Sequence, residues 1–362
     1  MNDLTVSFRE QVVRATESKQ ALRIRGGGTK DWYGQHVGGT VLDTRAHRGV
    51  IAYDPAELVI TARSGTPLEE IETLLAQHDQ MLPFEPPHFG TGATLGGCIA
   101  AGLAGPRRSS TGAPRDFVLG AVVMNGRGEV LRFGGQVMKN VAGYDVSRLM
   151  AGALGTLGLL LEISVKVLPR PVAETTLQFD TSAIDAVRKL NEWAGRPLCI
   201  SASAWREGTL ALRLAGAEAA VKAARSALGG EAVDAIEAAH FWEGLREHSD
   251  PFFSMIPSNA ALWRLSLPSI AEPLPLPGTQ LMEWGGAQRW WITDNDAHIV
   301  RSAARQAGGH ATLFRTGADN ERARQAGVFT PLSAPLMKIH RGLKSAFDPA
   351  HIFNRGRLFP DF

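Results

Sequence analysis

Over the first 172 residues, apolar positions come mainly in short β-branched runs separated by turns. Ala21–Arg25, Thr40–Asp43 and Leu58–Ala62 each predict a strand. One helical period interrupts them: Leu68, Ile71, Leu74 and Leu75 share a face, with Thr66 as the expected cap and Pro67 at the first helical position. Phe117–Met124 and Glu129–Phe133 flank an Asn125-Gly126 turn and predict a hairpin, and Leu157–Leu168 predicts a buried strand.

After Pro169-Arg-Pro171 the pattern changes. A helix is predicted over Ala183–Trp193. A hairpin follows from Leu198–Trp205 and Thr209–Leu214, then a helix over Ala217–Leu228. Leu262–Leu267 is a further strand, and Leu281–Trp284 with Arg289–Thr293 predicts a hairpin around Gly285-Gly286. A helix capped by Asp294 or Asn295 runs to Ala307, and His310–Arg315 is the last strand. The prolines at 268, 273, 275 and 277 predict a loop. The order suggests an α+β chain whose second part is a ferredoxin-like sheet layered with helices.

Composition sharpens this division. Of 39 glycines, 24 precede residue 173, whereas seven of the eight tryptophans follow residue 190. The expected domains are therefore 1–172 and 173–330, with 331–362 as a closing segment. The net charge of +2 supplies no global basic field for nucleic acid. Cys98 and Cys199 are too few for a disulfide framework, a four-cysteine zinc site or an iron–sulfur cluster. Residues 1–15 lack the basic and apolar blocks of a secretory signal, and the longest apolar window, 149–161, is too short to span a bilayer. The expectation is a cytoplasmic chain.

Candidate chemistry begins at Arg25-Gly26-Gly27-Gly28-Thr29-Lys30, directly after a predicted strand. Successive glycines expose backbone N–H groups to a closely approaching phosphate, Thr29 adds a hydroxyl, and Arg25 and Lys30 add charge. The same pattern also suits a plain surface turn. Neither a P-loop nor a GxGxxG fingerprint is present. A second loop, Pro86–Gly97, runs into a helix of small residues. Its Thr91, Gly92, Ala93, Thr94, Gly96 and Gly97 are expected to offer hydroxyls and helix-terminal donors. Two such loops in one domain favour a long diphosphate cofactor. Further signals are Ser109–Asp116, Lys139–Asp145 and Gly152–Gly158.

In this order, the elements Arg25–Lys30, Ala93–Gly97, Gly112–Asp116, Lys139-Asn140 with Gly143-Tyr144-Asp145, and Gly155–Gly158 resemble the p-cresol methylhydroxylase or vanillyl-alcohol oxidase type of FAD-binding domain. Leu343–Pro349 with Ile352-Phe353-Asn354 resembles that family's closing segment. The resemblance implies a two-lobed FAD domain with a smaller α/β cap, and FAD held non-covalently. It implies pyrophosphate contacts from Gly26, Gly27, Gly28 and Thr29, with Lys30 nearby, and a second channel wall from Thr91, Gly92, Ala93, Thr94, Gly96 and Gly97. Gly112 and Asp116 would line the cofactor, the Ile163 backbone would meet the adenine, and Asn354 would approach the flavin or substrate side.

Within the family, the short second domain and the run Lys139–Leu149 are similar to FAD-binding subunits of bacterial glycolate oxidases. That likeness implies oxidation of glycolate to glyoxylate in a complex with a larger catalytic flavoprotein and an iron–sulfur subunit. Membrane contact is then at most peripheral, through partners at the inner membrane. The larger 2-hydroxy-acid dehydrogenases of the family carry a metal-binding histidine pair. Here His240 and His248 stand eight apart on a predicted helix, too far for one ion. No metal is expected, and no catalytic residue is assigned. His36 is the nearest histidine to the first loop. Tyr144, His340 and Arg341 could orient a substrate, but a packed tyrosine and a surface Arg-His pair is the favoured reading; Arg107-Arg108 is either a solvated turn or a contact for an acidic partner. Two further readings stand beside this one: an autonomous FAD-dependent 2-hydroxy-acid dehydrogenase, and a non-catalytic FAD-binding scaffold.

Overall fold

A computed structural model of the chain describes residues 3–35, 37–135, 145–320, 323, 325–360 and 362. The chain divides into two compact units, 1–103 with 113–169 and 331–362, and 104–112 with 170–330. Residues 104–112 were expected with the first domain. They belong to the second because its side chains hold them. Trp284 Nε1 donates to Gly105 O at 3.1 Å, Ser110 Oγ donates to Ser201 O at 3.0 Å, and the Arg108 guanidinium lies 4.4 Å from the Trp284 ring centre.

The first unit opens with a helix, α1 (Thr5–Ser18), whose Phe8, Val12 and Ala15 form a buried stripe. Strands β1 (Leu22–Arg25) and β2 (Thr40–Asp43) pair in parallel. Strands β3 (Val50–Asp54), β4 (Val59–Arg63), β6 (Val118–Met124), β7 (Val130–Gly134) and β8 (Leu159–Lys166) form an antiparallel sheet in the order β3-β4-β8-β6-β7. The two-residue strands β5 (Gln80–Met81) and β9 (Leu168–Pro169) pair separately. β6 is buried at every position and β8 at six of eight, as expected of inner strands covered on both faces. One core joins α1, β1, β2, β6 and β8 to the C-terminal segment through Phe8, Leu22, Leu42, Val122, Leu159 and Phe353. Phe353 bridges Leu22 in parallel, so the C-terminal segment lies beside β1.

Helix α2 (Leu68–Ala76) buries the predicted Leu68, Ile71 and Leu75. Its expected cap is not used: the helix starts after Pro67, and the buried Thr66 accepts from the Gly49 N–H instead. Helix α3 (Leu95–Ala101) follows the second glycine loop, with Thr94 as a true N-cap accepting from Gly97 N at 3.2 Å.

The second unit carries an eight-stranded antiparallel sheet. Its strands are β10 (Ala173–Asp180), β11 (Ile200–Arg206), β12 (Thr209–Gly216), β13 (Glu231–Ala232), β14 (Ala261–Ser266), β15 (Thr279–Glu283), β16 (Gln288–Thr293) and β17 (His310–Thr316). The order is β13-β10-β12-β11-β15-β16-β14-β17. Helices Ala183–Ala194 and Glu218–Leu228 pack on one half through Val187, Leu190, Trp193 and Val221, and helix Ala297–Gln306 packs on the other through Val300 and Ala304. Six of the unit's seven tryptophans are buried, as large apolar anchors. The four-proline segment is a loop pinned by the fully buried Arg289, which donates to Gly286 O at 3.2 Å, to Glu272 O at 2.8 Å and to Ala271 O. Burial lowers the pKa of that guanidinium to about 10.

Candidate functional site

The first unit holds a cleft open to solvent. Its floor is the loop leaving β1. The chain turns there without regular hydrogen bonding, because a parallel strand partner ends at Asp43 and three glycines follow. No hydrogen bond among the described residues takes the N–H of Gly26, Gly27, Gly28 or Thr29. Four successive free donors facing a cleft make an anion-binding concavity.

These glycines cannot be replaced without moving a neighbour. A Cβ on Gly27 would lie 1.8 Å from Gly92 O, one on Gly26 would lie 2.4 Å from Thr94 Oγ1, and one on Gly28, at φ +76°, would meet Arg25 Nη2 at 2.2 Å. The first glycine loop thus lies against the second with no side chain between them. Charge follows the same design. Arg25, Lys30 and Arg357 line the cleft against one carboxylate, Asp31, and Asp31 is shared between Arg25 at 2.7 Å and Arg23 at 2.7 Å.

The opposite wall comes from α3, from the Leu154–Leu160 segment and from the C-terminal segment. Leu154 (φ +50°) and Asn354 (φ +39°) both adopt the left-handed region, uncommon for side-chain-bearing residues and concentrated where a site is over-determined. Asn354 holds the two together. Its Oδ1 accepts from Ile24 N at 2.8 Å, its Nδ2 donates to Leu154 O at 2.6 Å, and a Cβ on Gly155 would meet that Nδ2 at 2.7 Å. Arg357 Nη2 donates to the carbonyls of Lys30 at 3.0 Å and Tyr33 at 2.7 Å, bracing the glycine loop from behind. Beneath this segment the fully buried Lys344 donates to Thr156 O at 2.7 Å, Phe353 O at 2.9 Å and Asp348 Oδ2 at 2.8 Å. Asp348 in turn accepts from the N–H groups of Ile352 and Phe353. Burial pulls the Lys344 pKa down against the attraction of Asp348.

The sequence-predicted residues divide on this geometry. Arg25, Gly26, Gly27, Gly28, Thr29, Lys30, Thr94, Gly96, Gly97 and Asn354 line the cleft. Thr91 and Gly92 are exposed and Ala93 is buried; they stand behind the wall, with Gly92 O against Gly27 and Ala93 O accepting from Leu68 N. Gly112 ends a short helix of the second unit, and the Asp116 carboxylate accepts from Ala113 N at 2.8 Å, closing a local turn. Ile163 is fully buried in β8 between Ala62 and Ala121. None of these six lines the cleft.

The donors expected from the start of α3 are also engaged. Leu95 N donates to Thr66 O, Gly96 N to Ser64 O and Gly97 N to Thr94 Oγ1. Lys139, Asn140, Gly143, Tyr144 and His36 lie outside the described residues. Thr44, Ser64 and Arg357 line the cleft without having been foreseen. Only their proximity in space marks them.

The other candidates are accounted for by packing. Arg107 is buried and pairs with Glu174 at 3.0 Å, so it is not a solvated contact for an outside acid. The His340 ring lies 5.9 Å from the Phe359 ring and 6.0 Å from that of Phe362. His240 is exposed, whereas His248 is stacked on Phe253 at 3.8 Å beside Trp290 and Phe314. Burial holds its pKa well below 6.5, with Arg315 and Arg264 acting in the same direction. Cys98 is buried in α3, which pushes its thiol up to about 12 and makes it chemically inert. No helix among the described residues is long and apolar enough to cross a membrane.

A glycine cradle with free N–H groups, a cationic rim and a C-terminal clamp suits a phosphate-bearing ligand, and residues 8–134 match the model of the FAD binding domain family. Over 359 residues the chain is 50% identical to the glycolate oxidase subunit GlcE of Escherichia coli (strain K12), covering 99% of this chain and 98% of that one; it belongs to the family of that subunit. It is also 33% identical over 149 residues to the glycolate oxidase subunit GlcD of Bacillus subtilis (strain 168), spanning 41% of this chain and 32% of that protein. Among solved structures, alkyldihydroxyacetonephosphate synthase shares the fold, with a TM-score of 0.65 at 16% identity over 96% of this chain and 74% of its own.

Proposed function

We propose that this chain is the FAD-carrying subunit of a glycolate oxidase complex. The observation that carries the reading is the run of four unpartnered N–H groups at Gly26–Thr29 beside Arg25, Lys30 and Arg357. A diphosphate carries about two negative charges and needs close backbone donors, and this cleft offers both. Gly26, Gly27, Gly28 and Thr29 hold the pyrophosphate by their N–H groups, and Arg25, Lys30 and Arg357 balance its charge. Thr94, Gly96 and Gly97 wall the channel, while Asn354 positions Ile24 and Leu154 around it.

FAD, when bound, supplies two-electron acceptance and one-electron delivery. The similarity to GlcE covers 99% of the chain and that to GlcD 41% of it, which supports a larger flavoprotein as partner. Two cysteines do not ligate an iron–sulfur cluster, so a cluster in the electron path belongs to another subunit. We place the oxidation of glycolate to glyoxylate on the larger flavoprotein rather than on this chain, where the His248 ring is packed against Phe253.

The test is the visible spectrum of the purified chain before and after anaerobic addition of glycolate, followed by acid precipitation. The expected result is a flavin that glycolate leaves oxidised and acid releases into the supernatant. Bleaching by glycolate would instead establish the chain as an autonomous dehydrogenase. Flavin retained in the pellet would refute non-covalent attachment, and failure to take up added FAD would leave a scaffold.

A further inference from the structure

Four hydroxyl-bearing residues line the cleft: Thr29, Thr44, Ser64 and Thr94. Three have protein partners. Lys30 Nζ lies 3.5 Å from Thr29 Oγ1, Thr44 Oγ1 donates to Arg25 O at 3.3 Å, and Thr94 Oγ1 accepts from Gly97 N at 3.2 Å. Ser64 is different. It is only 2% exposed, and its Oγ has no hydrogen-bond partner. Its backbone is fixed on both sides: Ser64 N donates to Leu161 O at 2.9 Å and Ser64 O accepts from Gly96 N at 2.8 Å. Nor is Gly96 free to give way: a Cβ there would lie 2.7 Å from Ser64 Cβ.

Buried hydroxyls elsewhere in the same sheet are satisfied. Thr61 Oγ1 and Ser164 Oγ, on β4 and β8, pair at 2.8 Å. A buried hydroxyl without a partner destabilises the fold unless something outside the protein completes it. Alanine would fit the same space with no such penalty. Ser64 is one of the residues that line the cleft, where a ligand is the natural complement of its unpaired oxygen.

We infer that Ser64 is a direct cofactor ligand, donating its Oγ–H to an acceptor oxygen or nitrogen of bound FAD. The inference rests on the reading of the cleft as an FAD site and extends it to a residue outside both glycine loops. Ser64 thereby ties the end of β4 to the cofactor, and its carbonyl ties that same point to α3.

The experiment compares the full-length chain with Ser64→Ala, measuring FAD affinity by fluorescence titration and thermal unfolding of the flavin-free protein. Loss of one such hydrogen bond predicts an affinity about tenfold weaker. The flavin-free variant unfolds at the same or a higher temperature than the unaltered chain, because no protein hydrogen bond has been removed. A second variant, Ser64→Cys, keeps a weak donor and falls between the two. Equal FAD affinity for Ser64→Ala and the unaltered chain overturns the inference while leaving the FAD reading intact. So does a fall in flavin-free stability that matches the fall in affinity, which marks a structural hydroxyl. An unaltered chain that takes up no FAD overturns both.

Discussion

Lys344 is fully buried, and its ammonium uses all three of its donors on Thr156 O, Phe353 O and Asp348. Lys344→Met keeps most of the side-chain volume and removes every one of these bonds. It also leaves the Asp348 carboxylate, itself 0% exposed, without its cation. Replacing two charges together is often tolerated, but stranding one of them costs about 3–5 kcal/mol. The loss should appear in the first unit, where Thr156 leads into β8 and Phe353 bridges β1. Native-state amide exchange reads it directly: protected amides of β6 and β8 should exchange roughly two to three and a half orders of magnitude faster. Adding Asp348→Asn removes the stranded charge. The double variant should recover part of the loss, with a coupling on the order of 1–3 kcal/mol. Exchange within a few-fold of the unaltered protein, or single effects that simply add, would refute this account of the pair.

Gly27→Ala should purify with little or no flavin, because its Cβ would lie 1.8 Å from Gly92 O and force the two loops apart; an unchanged ratio of flavin to protein absorbance would count against the loop packing. Stability of the second unit should fall as pH drops below 6.5. There the unfolded chain binds a proton on His248 that the folded chain refuses, giving a slope of about 1.4 kcal/mol per pH unit for that group. His248→Asn, suited to the left-handed φ of +55°, should flatten the slope measured by urea unfolding between pH 6.5 and 5, and an unchanged slope would assign the acid sensitivity elsewhere. Gly342 lies inside the exposed helix Ala334–Phe347 with nothing within 4 Å of a built Cβ. Gly342→Ala should therefore stabilise the chain by about 0.5–1 kcal/mol in thermal unfolding, and a loss of stability would show an unrecognised contact on that face.

Strands with strong alternation or continuous apolar runs, such as β4, β6 and β8, are legible in the sequence to within a residue or two because their burial depends on local pattern. Helix α1 is not, since its buried stripe of Phe8, Val12 and Ala15 is diluted by the exposed Val6 and Val13. Strand β3 is equally obscure, having no buried residue and depending on its ladder with β4. The glycine loop can be read because only glycine tolerates its contacts. Arg357, Ser64 and Lys344 cannot, because each is of an ordinary type whose surroundings are assembled from distant segments. Lys344 reads as a solvated helix cation and is instead the buried anchor of the C-terminal segment. The helix-terminal donors of α3 fail for a similar reason: the groups that occupy them, Thr66 O and Ser64 O, lie some thirty residues upstream.

The bond between Ile24 N and Asn354 Oδ1 joins residues 330 positions apart. During synthesis, the glycine loop and β1 are made well before Phe353, Asn354 and Arg357, the residues that brace them. Until those residues follow, the nascent chain displays an open half of the cleft. An interrupted polypeptide stopping anywhere before residue 354 keeps its anion cradle but lacks the brace across it. Closure of the cleft therefore reports that the chain has been made past Arg357.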